Sequence, residues 1–400
     1  MIRVSTAELY LNSQTAINAD QSAMMTTTAE LSSGKQINSP SDNPVGAAQA
    51  ALLQSDLTQL GQYKSNQAQA TQLLNNASST VTQAINVLQS AQTALVEAGN
   101  STLSDANRSA IAAQLQQDLN QLVGLANTSD GQGGYLFGGS VNSTPPFVQN
   151  GNKVTYVGDD LVPGLQISQT RSEQVKYSGS AVFMAMPTGN GTFVTAANGN
   201  NTGTGVISTG TVTNPSALTG DQYTITIGAG GSTYTITQTP PGTTGPALPY
   251  SSPTALAIPG MQVTISGNPN AGDTFTISPS TNESIFSVIA SAISALQTPT
   301  TTAAAAASVS AGITSALTGA QQAISSLSTT QASMGSQLAE LNTYATVNNN
   351  QTLQDQTQMS AVVDLDYAQG ASQLAQQQTE YQAALQSYAA ISKLSLFQYI

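Results

Sequence analysis

The chain has 400 residues, enough for two or more domains with sizeable hydrophobic cores. Charged residues make up only 7% of it, against about 25% in ordinary soluble domains, and the net charge is −12. Phosphate binding needs clustered cations, so we expect no nucleic-acid partner and no contact with anionic membrane surfaces. The chain has no cysteine and no histidine, which excludes disulfides, thiolate nucleophiles, Ser-His-Asp triads and cysteine or histidine metal sites.

Nothing in the sequence points to a membrane or to the general secretory route. The first ten residues lack a basic segment followed by an apolar segment and a small-residue cleavage site, so we expect no general secretory signal. No stretch approaches the roughly 20 apolar residues of a membrane span. The absence of cysteine leaves the compartment open.

Near each end of the chain, apolar residues recur every seven positions. Such spacing is typical of helices that coil around partners, and each stripe is too narrow to be buried by its own helix. We therefore predict assembly helices with these interface residues: Tyr10, Ile17, Met24, Leu31, Tyr367, Leu374, Tyr381, Leu385 and Tyr388.

A short proline-rich connector follows the first predicted helix, which runs from about Ser5 and ends at the capping glycine Gly34. Pro40 and Pro44 prevent the helix from continuing, and Ser41 or Asp42 is expected to cap the next one. The sequence therefore predicts a fixed turn between two helices.

A second, much longer helix is predicted from Ala47 to Gly99. Leucine or valine keeps the seven-residue spacing from Leu53 to Leu95, except at Gln67. Such a helix would be about 80 Å long. A third helix is expected after Ser104 or Asp105, with apolar residues from Ile111 to Leu122 on one face.

Residues 141–280 have the short alternating runs of β-structure. Tyr135, Leu136 and Phe137, between glycine pairs, predict a tight β-element just before them. The alternation at 223–227 and 234–236 around Gly228–Ser232 predicts a hairpin. A second hairpin is expected between 261–265 and 275–277. Residues 188–213 and 239–253 are expected to be loops or poorly ordered segments.

Helical spacing returns at 282–296 and again from Ile313 to Ala345, and a last helix is predicted from about Thr357 to Ser392. The Ile313–Ala345 seam complements the one from Leu53 to Leu95. Short connections favour antiparallel neighbours, so we predict an α+β multidomain fold: a long antiparallel α-helical rod from both termini, with an inserted β-rich domain at its tip.

Candidate catalytic and ligand sites have weak support. Asp159 and Asp160 are interpreted as turn acids, and Asp364 and Asp366 as solvated helix surface. The Gly34-Lys35 pair lacks the other residues of a phosphate loop. Gly228–Gly231 is predicted to lie in a hairpin turn, whereas a dinucleotide-binding loop connects a strand to a helix. We predict no enzyme, no metal and no cofactor.

Four groups of residues, in this order, resemble the bacterial flagellin and flagellar hook-associated protein family. They are Leu31–Asn38 with Ser41–Ala47, Gly134–Gly139, Tyr156–Asp160 leading to Ser178–Phe183, and Gln376–Tyr381 with Lys393–Ile400. Flagellins usually have alanine at the position of Pro44, and the Asp-Asn-Pro form resembles the hook-associated branch. The stretch 184–252 matches no part of the family that we can assign.

The resemblance implies a structural role in the bacterial flagellum, at the junction between hook and filament. It implies export through the flagellar secretion channel, terminal helices that fold on assembly, and a ring of subunits. Implied partners are hook-associated protein 1, flagellin and an export chaperone. Its connector motif corresponds to Gly34, Asn38, Asp42, Asn43 and Pro44.

On this basis we divide the chain into five segments. These are an N-terminal polymerisation helix with its connector (1–44), two halves of the rod (45–140 and 281–356), the β-rich insert (141–280) and a C-terminal polymerisation helix (357–400).

Two other functions are left open. Flagellin itself shares the helical plan and is separated by Pro44 and the ending Ser395–Ile400. A secreted glycan-binding or hydrolytic β-domain on helical stalks would rest on the Thr/Gly-rich insert alone, which lacks a convincing carboxylate pair, and the chain contains no tryptophan.

Overall fold

A computed structural model describes residues 6–140, 143–162 and 164–393. The ends of two predicted segments, residues 1–5 and the Leu394–Ile400 part of the C-terminal motif, lie outside the described residues. The described ranges contain six α-helices: α1 (Thr6–Ser33), α2 (Pro44–Ala98), α3 (Asp105–Ala126), α4 (Ile285–Leu296), α5 (Ala303–Val363) and α6 (Tyr367–Lys393). Long helices from both halves of the chain thus flank a β-rich insert, which confirms the predicted fold class.

The helix ends of the N-terminal half have identifiable caps. Gly34 has φ +72°, and its N–H donates to the Glu30 carbonyl over 2.8 Å. The predicted cap of α2 at Ser41 or Asp42 is wrong, because the Asn43 Oδ1 accepts the Gly46 N–H over 2.9 Å and Pro44 is the first helical residue. Proline is favoured at that position because it has no N–H to leave unpaired.

The last two helices differ from their predicted bounds. The α5 helix continues through Thr357 to Val363, so the start predicted near Thr357 is wrong and α6 begins at Tyr367. Asp364 and Asp366 lie in the break between α5 and α6, so their predicted place on a helix surface is also wrong. The Asp366 carboxylate accepts the Ala368 N–H over 2.9 Å and caps α6.

The described residues between 143 and 283 contain sixteen short strands, the last of them just after the predicted insert (141–280). They are β1 (Phe147–Asn150), β2 (Lys153–Tyr156), β3 (Gly164–Gln166), β4 (Ser172–Gln174), β5 (Met186–Pro187), β6 (Phe193–Ala197), β7 (Val206–Ile207), β8 (Thr211–Val212), β9 (Gln222–Ile227), β10 (Thr233–Thr239), β11 (Thr243–Thr244), β12 (Leu248–Pro249), β13 (Thr254–Ile258), β14 (Met261–Ser266), β15 (Thr274–Pro279) and β16 (Asn282–Glu283). Strands β1–β2, β3–β4 and β5–β16 form three small antiparallel pairs.

The other strands form two sheets that share one core. The first sheet has the order β11-β10-β9-β15-β6, with β12 also paired to β10, and the second has the order β13-β14-β7, with β8 also paired to β14. Alternate residues of both sheets are buried in one apolar cluster that includes Tyr223, Ile225, Val263, Ile265 and Phe275. Because side chains alternate between the two faces of a strand, each sheet has one apolar face, and these two faces pack against each other.

The first predicted hairpin is confirmed and the second is wrong. Tyr234 pairs with Ile227 and Ile236 with Ile225, across the Gly228–Ser232 turn. Residues 261–265 (β14) pair instead with β13, β7 and β8, whereas 275–277 (β15) pair with β9 and β6. The two runs therefore belong to opposite sheets and meet through side chains in the core.

Two further predictions about the insert need correction. The stretches 188–213 and 239–253, predicted as loops, contain strands β6, β7, β8, β11 and β12. Residues 135–137, predicted as a β-element, form no strand: Tyr135 makes one isolated bridge to Ser129, and Leu136 and Phe137 are buried.

The chain divides into two compact units, unit 1 (Met1–Ser65 with Thr343–Ile400) and unit 2 (Asn66–Asn342). In unit 2, α2 is buried at Leu74, Val81, Leu88 and Leu95, and α5 at a matching series from Ile313 to Leu341. The Gln331 side chain of α5 donates to the Thr82 hydroxyl of α2 over 2.8 Å. The predicted interruption at Gln67 is also buried, and its amide donates to the Ile167 carbonyl over 2.8 Å.

The α5 helix contains an 18-residue window with a mean hydropathy of 1.2, long and apolar enough by composition alone to cross a membrane. Of that window 28% is buried within the structure, and the buried residues of α5 from Val309 to Leu341 follow one seam of the helix.

Candidate assembly surface

The two terminal helices α1 and α6 pack against each other as an antiparallel pair within unit 1. At one end, the Tyr10 and Tyr388 rings are 4.9 Å apart, and a hydrogen bond between their hydroxyls raises the pKa of Tyr388. At the other end, a methyl group at Gly370 would lie 3.3 Å from Leu31. The predicted return of the last helix beside the first is confirmed.

None of the nine predicted interface residues is buried by this pairing. Tyr10, Tyr367 and Leu385 are 38%, 58% and 41% exposed. The other six are half-buried: Ile17, Met24, Leu31, Leu374, Tyr381 and Tyr388. Among the side chains that the structure describes in α1 and α6, only Thr27 is buried. The pair therefore keeps an apolar stripe that solvent reaches.

Unit 1 exposes further apolar side chains that the seven-residue pattern did not include. On α1 these are Leu9, Leu11 and Met25. At the start of α2, Val45 and Leu52 are 79% and 69% exposed, and on α5 Val347 and Leu353 are exposed as well. Val45 and Leu52 are seven residues apart, so their spacing was a signal that the sequence carried.

The core of unit 1 is correspondingly small. Among its described residues, Leu53 and Tyr63 are the only buried large apolar side chains, and Asn348 and Asp355 of α5 are buried polar residues. A fully buried Leu side chain contributes about 1.5–3 kcal/mol, while fixing one backbone residue costs about 1–2 kcal/mol. Terminal helices of 28 and 27 residues, whose described apolar side chains all remain partly exposed, gain little from their own pairing.

The connector between α1 and α2 is bonded to the break between α5 and α6. The Leu365 N–H donates to the Gly34 carbonyl over 3.0 Å, and the Gln36 N–H donates to the Val363 carbonyl over 2.8 Å. The Gln36 side-chain amide adds a bond of 2.7 Å to the Val362 carbonyl. The two interruptions of the helical pattern thus lie side by side.

The motif residues of the connector have structural roles. Asp42 accepts the N–H groups of Ser39 and Asn38 over 2.7 and 3.1 Å, and the Ser39 bond is the main reason that the pKa of Asp42 is lowered. The Asn38 side chain donates to the Lys35 carbonyl over 3.2 Å. With Asn43 capping α2 and Pro44 beginning it, the segment forms the fixed turn that the sequence predicted.

Two further family motifs, Gly134–Gly139 and Tyr156–Asp160 leading to Ser178–Phe183, converge on one aromatic cluster in unit 2. Phe183 packs edge-on against Phe137 and Phe147, with ring centroids 5.0 and 5.5 Å apart, and Phe286 of α4 completes the cluster at 5.3 Å from Phe147. The Gly179 N–H donates to the Phe137 carbonyl over 2.9 Å. These motifs therefore build a core.

The paired acids of this region serve turns. Asp159 accepts the Ser140 N–H over 2.7 Å and also the Ser140 hydroxyl, and the hydroxyl bond is the main reason that the pKa of Asp159 is lowered. Asp160 accepts the Ser180 hydroxyl. Across the described ranges, no three acidic side chains come close enough together to hold a metal ion.

Comparison with known proteins defines the class first. Residues 4–142 match the bacterial flagellin N-terminal helical region, and residues 196–279 match the D2-like domain of flagellar hook-associated protein 1. The second match covers much of the stretch 184–252, for which the sequence alone suggested no relative. The chain is thus built of flagellin-type helices around a hook-associated-type β-domain.

Full-length relatives define the family. The chain is 25% identical to flagellar hook-associated protein 3 of Salmonella typhimurium, over 99% of both chains. It is 30% identical to a crystal structure of flagellar hook-associated protein 3 from Legionella pneumophila, with a TM-score of 0.73, covering 78% of this chain and 98% of that one. A B-type flagellin of Pseudomonas aeruginosa is 26% identical over only 36% of this chain and 29% of its own. The chain belongs to the flagellar hook-associated protein 3 family, whose members are structural components of the bacterial flagellum.

Proposed function

We propose that this protein forms the junction between hook-associated protein 1 and the flagellin filament, through coiled-coil packing of its terminal helices in a ring of subunits. The partly exposed apolar stripe of the α1–α6 pair carries the proposal, because a surface of that kind is stable once neighbouring subunits cover it. Supporting it, one relative in Legionella pneumophila is described as a flagellar junction protein, and the insert matches a domain of hook-associated protein 1.

The energetics favour terminal helices that fold on assembly. The α1–α6 pair must offset the ordering of two long helices, and none of its described apolar side chains is buried. Contacts with other subunits would supply the missing burial. In this proposal residues 1–34 and about 357–400 are polymerisation segments, of which 357–363 form the end of α5 and α6 begins at Tyr367. The five-segment division of the chain is kept as a functional one.

The proposal includes the route by which the protein reaches its place. It is exported through the flagellar secretion channel, with an export chaperone bound to its C-terminal part, and becomes extracellular on assembly. Its role is structural and not enzymatic, which agrees with carboxylates that serve turns and caps.

Immunogold labelling of the chain in its own bacterium tests the position. A band at the end of the hook is expected, whereas label distributed along the filament would make the protein a flagellin and overturn the proposal. Met24→Asp places a charge on the α1 stripe and should abolish both the band and the filament. Gln21→Asp adds the same charge to an exposed site of the same helix and should preserve both.

Hydrogen exchange tests the folding step separately. In the purified monomer, amides of both polymerisation segments should exchange rapidly, while those of the unit 2 core stay protected. Strong protection of both segments in the monomer would contradict folding on assembly.

A further inference from the structure

Strand β6 is an edge strand with peptide groups that nothing in the described chain pairs. Its only strand partner is β15, with the Asn198 N–H donating to the Thr274 carbonyl over 3.0 Å and the Ser280 N–H to the Thr192 carbonyl over 2.9 Å. The outward peptide groups of Phe193 are bonded to Asn190, over 3.0 Å to its side chain and 3.1 Å to its N–H. In an antiparallel ladder, every second residue of an edge strand directs its N–H and carbonyl toward the neighbouring strand. Because residues 192 and 198 bond toward β15, the even-numbered residues of β6 face β15. The peptide groups of Thr195 and Ala197 therefore point away from the sheet.

A groove lies along this open edge. Its volume is about 230 Å³, and it is lined by β6, by Ile207 and Thr209 beside it, and by one face of α5 that carries Ala311, Gly312 and Ser315. Neighbouring strands need about 4.7–4.9 Å of separation. The groove therefore places open space beside residues 194–197 of β6, on the side where an added strand would lie.

The second sheet has an open edge of the same kind at β13. The Ser208 N–H donates to the Thr264 carbonyl over 2.8 Å, so the even-numbered residues of β14 face β7 and the odd-numbered ones face β13. Thr254, Leu256 and Ile258 consequently bond to β14. The peptide groups of Ala255 and Ala257 point outward, and both of their side chains are exposed.

The two edges match in length, charge and side-chain size. Each strand has five residues, and in each two outward residues that are two positions apart have no described backbone partner. Residues 186–212 and 240–259 contain no Asp, Glu, Lys or Arg, so a charged occupant of the groove would bury its charge without a partner. A neutral strand with alanine side chains meets no such cost.

We propose that β13 of a second copy of this chain adds to β6, antiparallel, with Ala257 opposite Thr195 and Ala255 opposite Ala197. Strand addition of this kind gains affinity from main-chain hydrogen bonds, and pockets for side chains give it specificity. The contact is between different surfaces of the two copies. β6 lies next to β7, and β13 lies on the other side of β14, so the two edges are at opposite ends of the sandwich.

An interface between different surfaces joins subunits head to tail, and it closes into a ring when the rotation per subunit permits. This contact goes beyond the terminal-helix assembly proposed above and does not depend on it. It would hold neighbouring inserts together through unit 2 alone.

Cross-linking of the full-length chain tests the contact, since the natural sequence contains no cysteine. A Thr195→Cys protein is mixed with an Ala257→Cys protein and treated with a short bis-maleimide. The control mixture pairs Thr195→Cys with Thr243→Cys, which lies on the exposed edge strand β11. We expect about tenfold more cross-linked dimer from the first mixture, equivalent to about 1.4 kcal/mol.

Adding Ala255→Pro to the Ala257→Cys protein removes one outward N–H and leaves the β14 ladder intact. This variant should reduce the cross-link to the control level, with an unchanged circular dichroism spectrum and thermal transition of the monomer. Equal cross-linking in the control mixture with Thr243→Cys, or no effect of the proline, would overturn the proposal. Any association through the terminal helices raises both mixtures equally, so its success or failure does not affect the comparison.

Discussion

Gly34→Ala tests the link between the two helix breaks of unit 1. Gly34 has φ +72°, and an L-residue in that region costs about 1–2 kcal/mol. Its new methyl group would also lie 2.7 Å from the Tyr367 hydroxyl. Tyr367 is 58% exposed and can rotate away, so the backbone term should dominate.

Amide hydrogen exchange at Leu365 and Gln36, measured in the assembled protein, is the assay, because these N–H groups bond to the Gly34 and Val363 carbonyls over 3.0 and 2.8 Å. The monomer is unsuitable, since Leu365 lies in a segment that is proposed to order only on assembly. A loss of about 1–2 kcal/mol should make both amides exchange about 5–30 times faster. Adding Tyr367→Phe should restore little of the protection, because it removes only the side-chain collision.

Gly61→Ala is the matched control. Gly61 lies within α2, a methyl group there meets no atom within 4 Å, and its φ is not positive. The same substitution should therefore stabilise the helix by about 1 kcal/mol. Gly61→Ala should accordingly slow amide exchange in α2. The positive-φ argument would be refuted if Gly34→Ala left the exchange rates of Leu365 and Gln36 unchanged or slowed them.

Two further predictions concern unit 2. Asp118 of α3 is buried, one of its carboxylate oxygens has no hydrogen-bond partner, and burial raises its pKa. A raised pKa means that the folded protein binds the proton of Asp118 more tightly than the unfolded chain does, so stability is lost as pH rises above the ordinary value of 3.8. Asp118→Asn should therefore raise the free energy of unfolding at pH 7 by about 1 kcal/mol and leave it unchanged near pH 3. Thermal unfolding at both pH values measures this, with exposed Asp56→Asn as the control; an equal gain at both pH values would contradict it. Phe147→Ala should cost about 3–5 kcal/mol in denaturant unfolding, because it empties the centre of the aromatic cluster. Val148→Ala on the same strand, where Val148 is 40% exposed, should cost under about 0.5 kcal/mol, and equal losses would refute the packing argument.

Helices and the first hairpin were predictable because their signals are local. A seven-residue spacing, a capping serine at 104 and a glycine-rich turn each act within a few residues along the chain. The errors at helix ends are small and have local reasons. Asp42 and Asn43 are both capping residues, and Pro44 as the first helical residue decides between them. Thr357 is not a breaker within α5, because its hydroxyl bonds back to the Leu353 carbonyl over 2.7 Å.

Strand pairing was not predictable to the same extent, because it depends on residues far apart in the chain. β14 and β15 are separated by only seven residues, which favoured a hairpin, yet β15 pairs with β6 and β9. Alternation within each run identifies the buried face and carries no information on which sheet the strand joins.

The assembly role of the stripe stays a prediction, and the degree of exposure of its residues was not predictable from the sequence. The seven-residue spacing identified the faces of α1 and α6 that meet, including Tyr10 and Tyr388. It could not show that packing one narrow stripe on another would leave all nine predicted interface residues partly exposed. Exposure depends on how many neighbours surround a helix, which a single sequence does not specify.

The adjacent helix breaks of unit 1 have a mechanical consequence. A pull on the paired α1 and α6 reaches the rest of the subunit through two covalent strands at once, residues 34–43 and 364–366. The bonds from Leu365 to Gly34 and from Gln36 to Val363 join these strands side by side. A mechanical load on the paired helices would then be divided between two parallel strands, and neither strand would stretch without breaking its hydrogen bonds to the other.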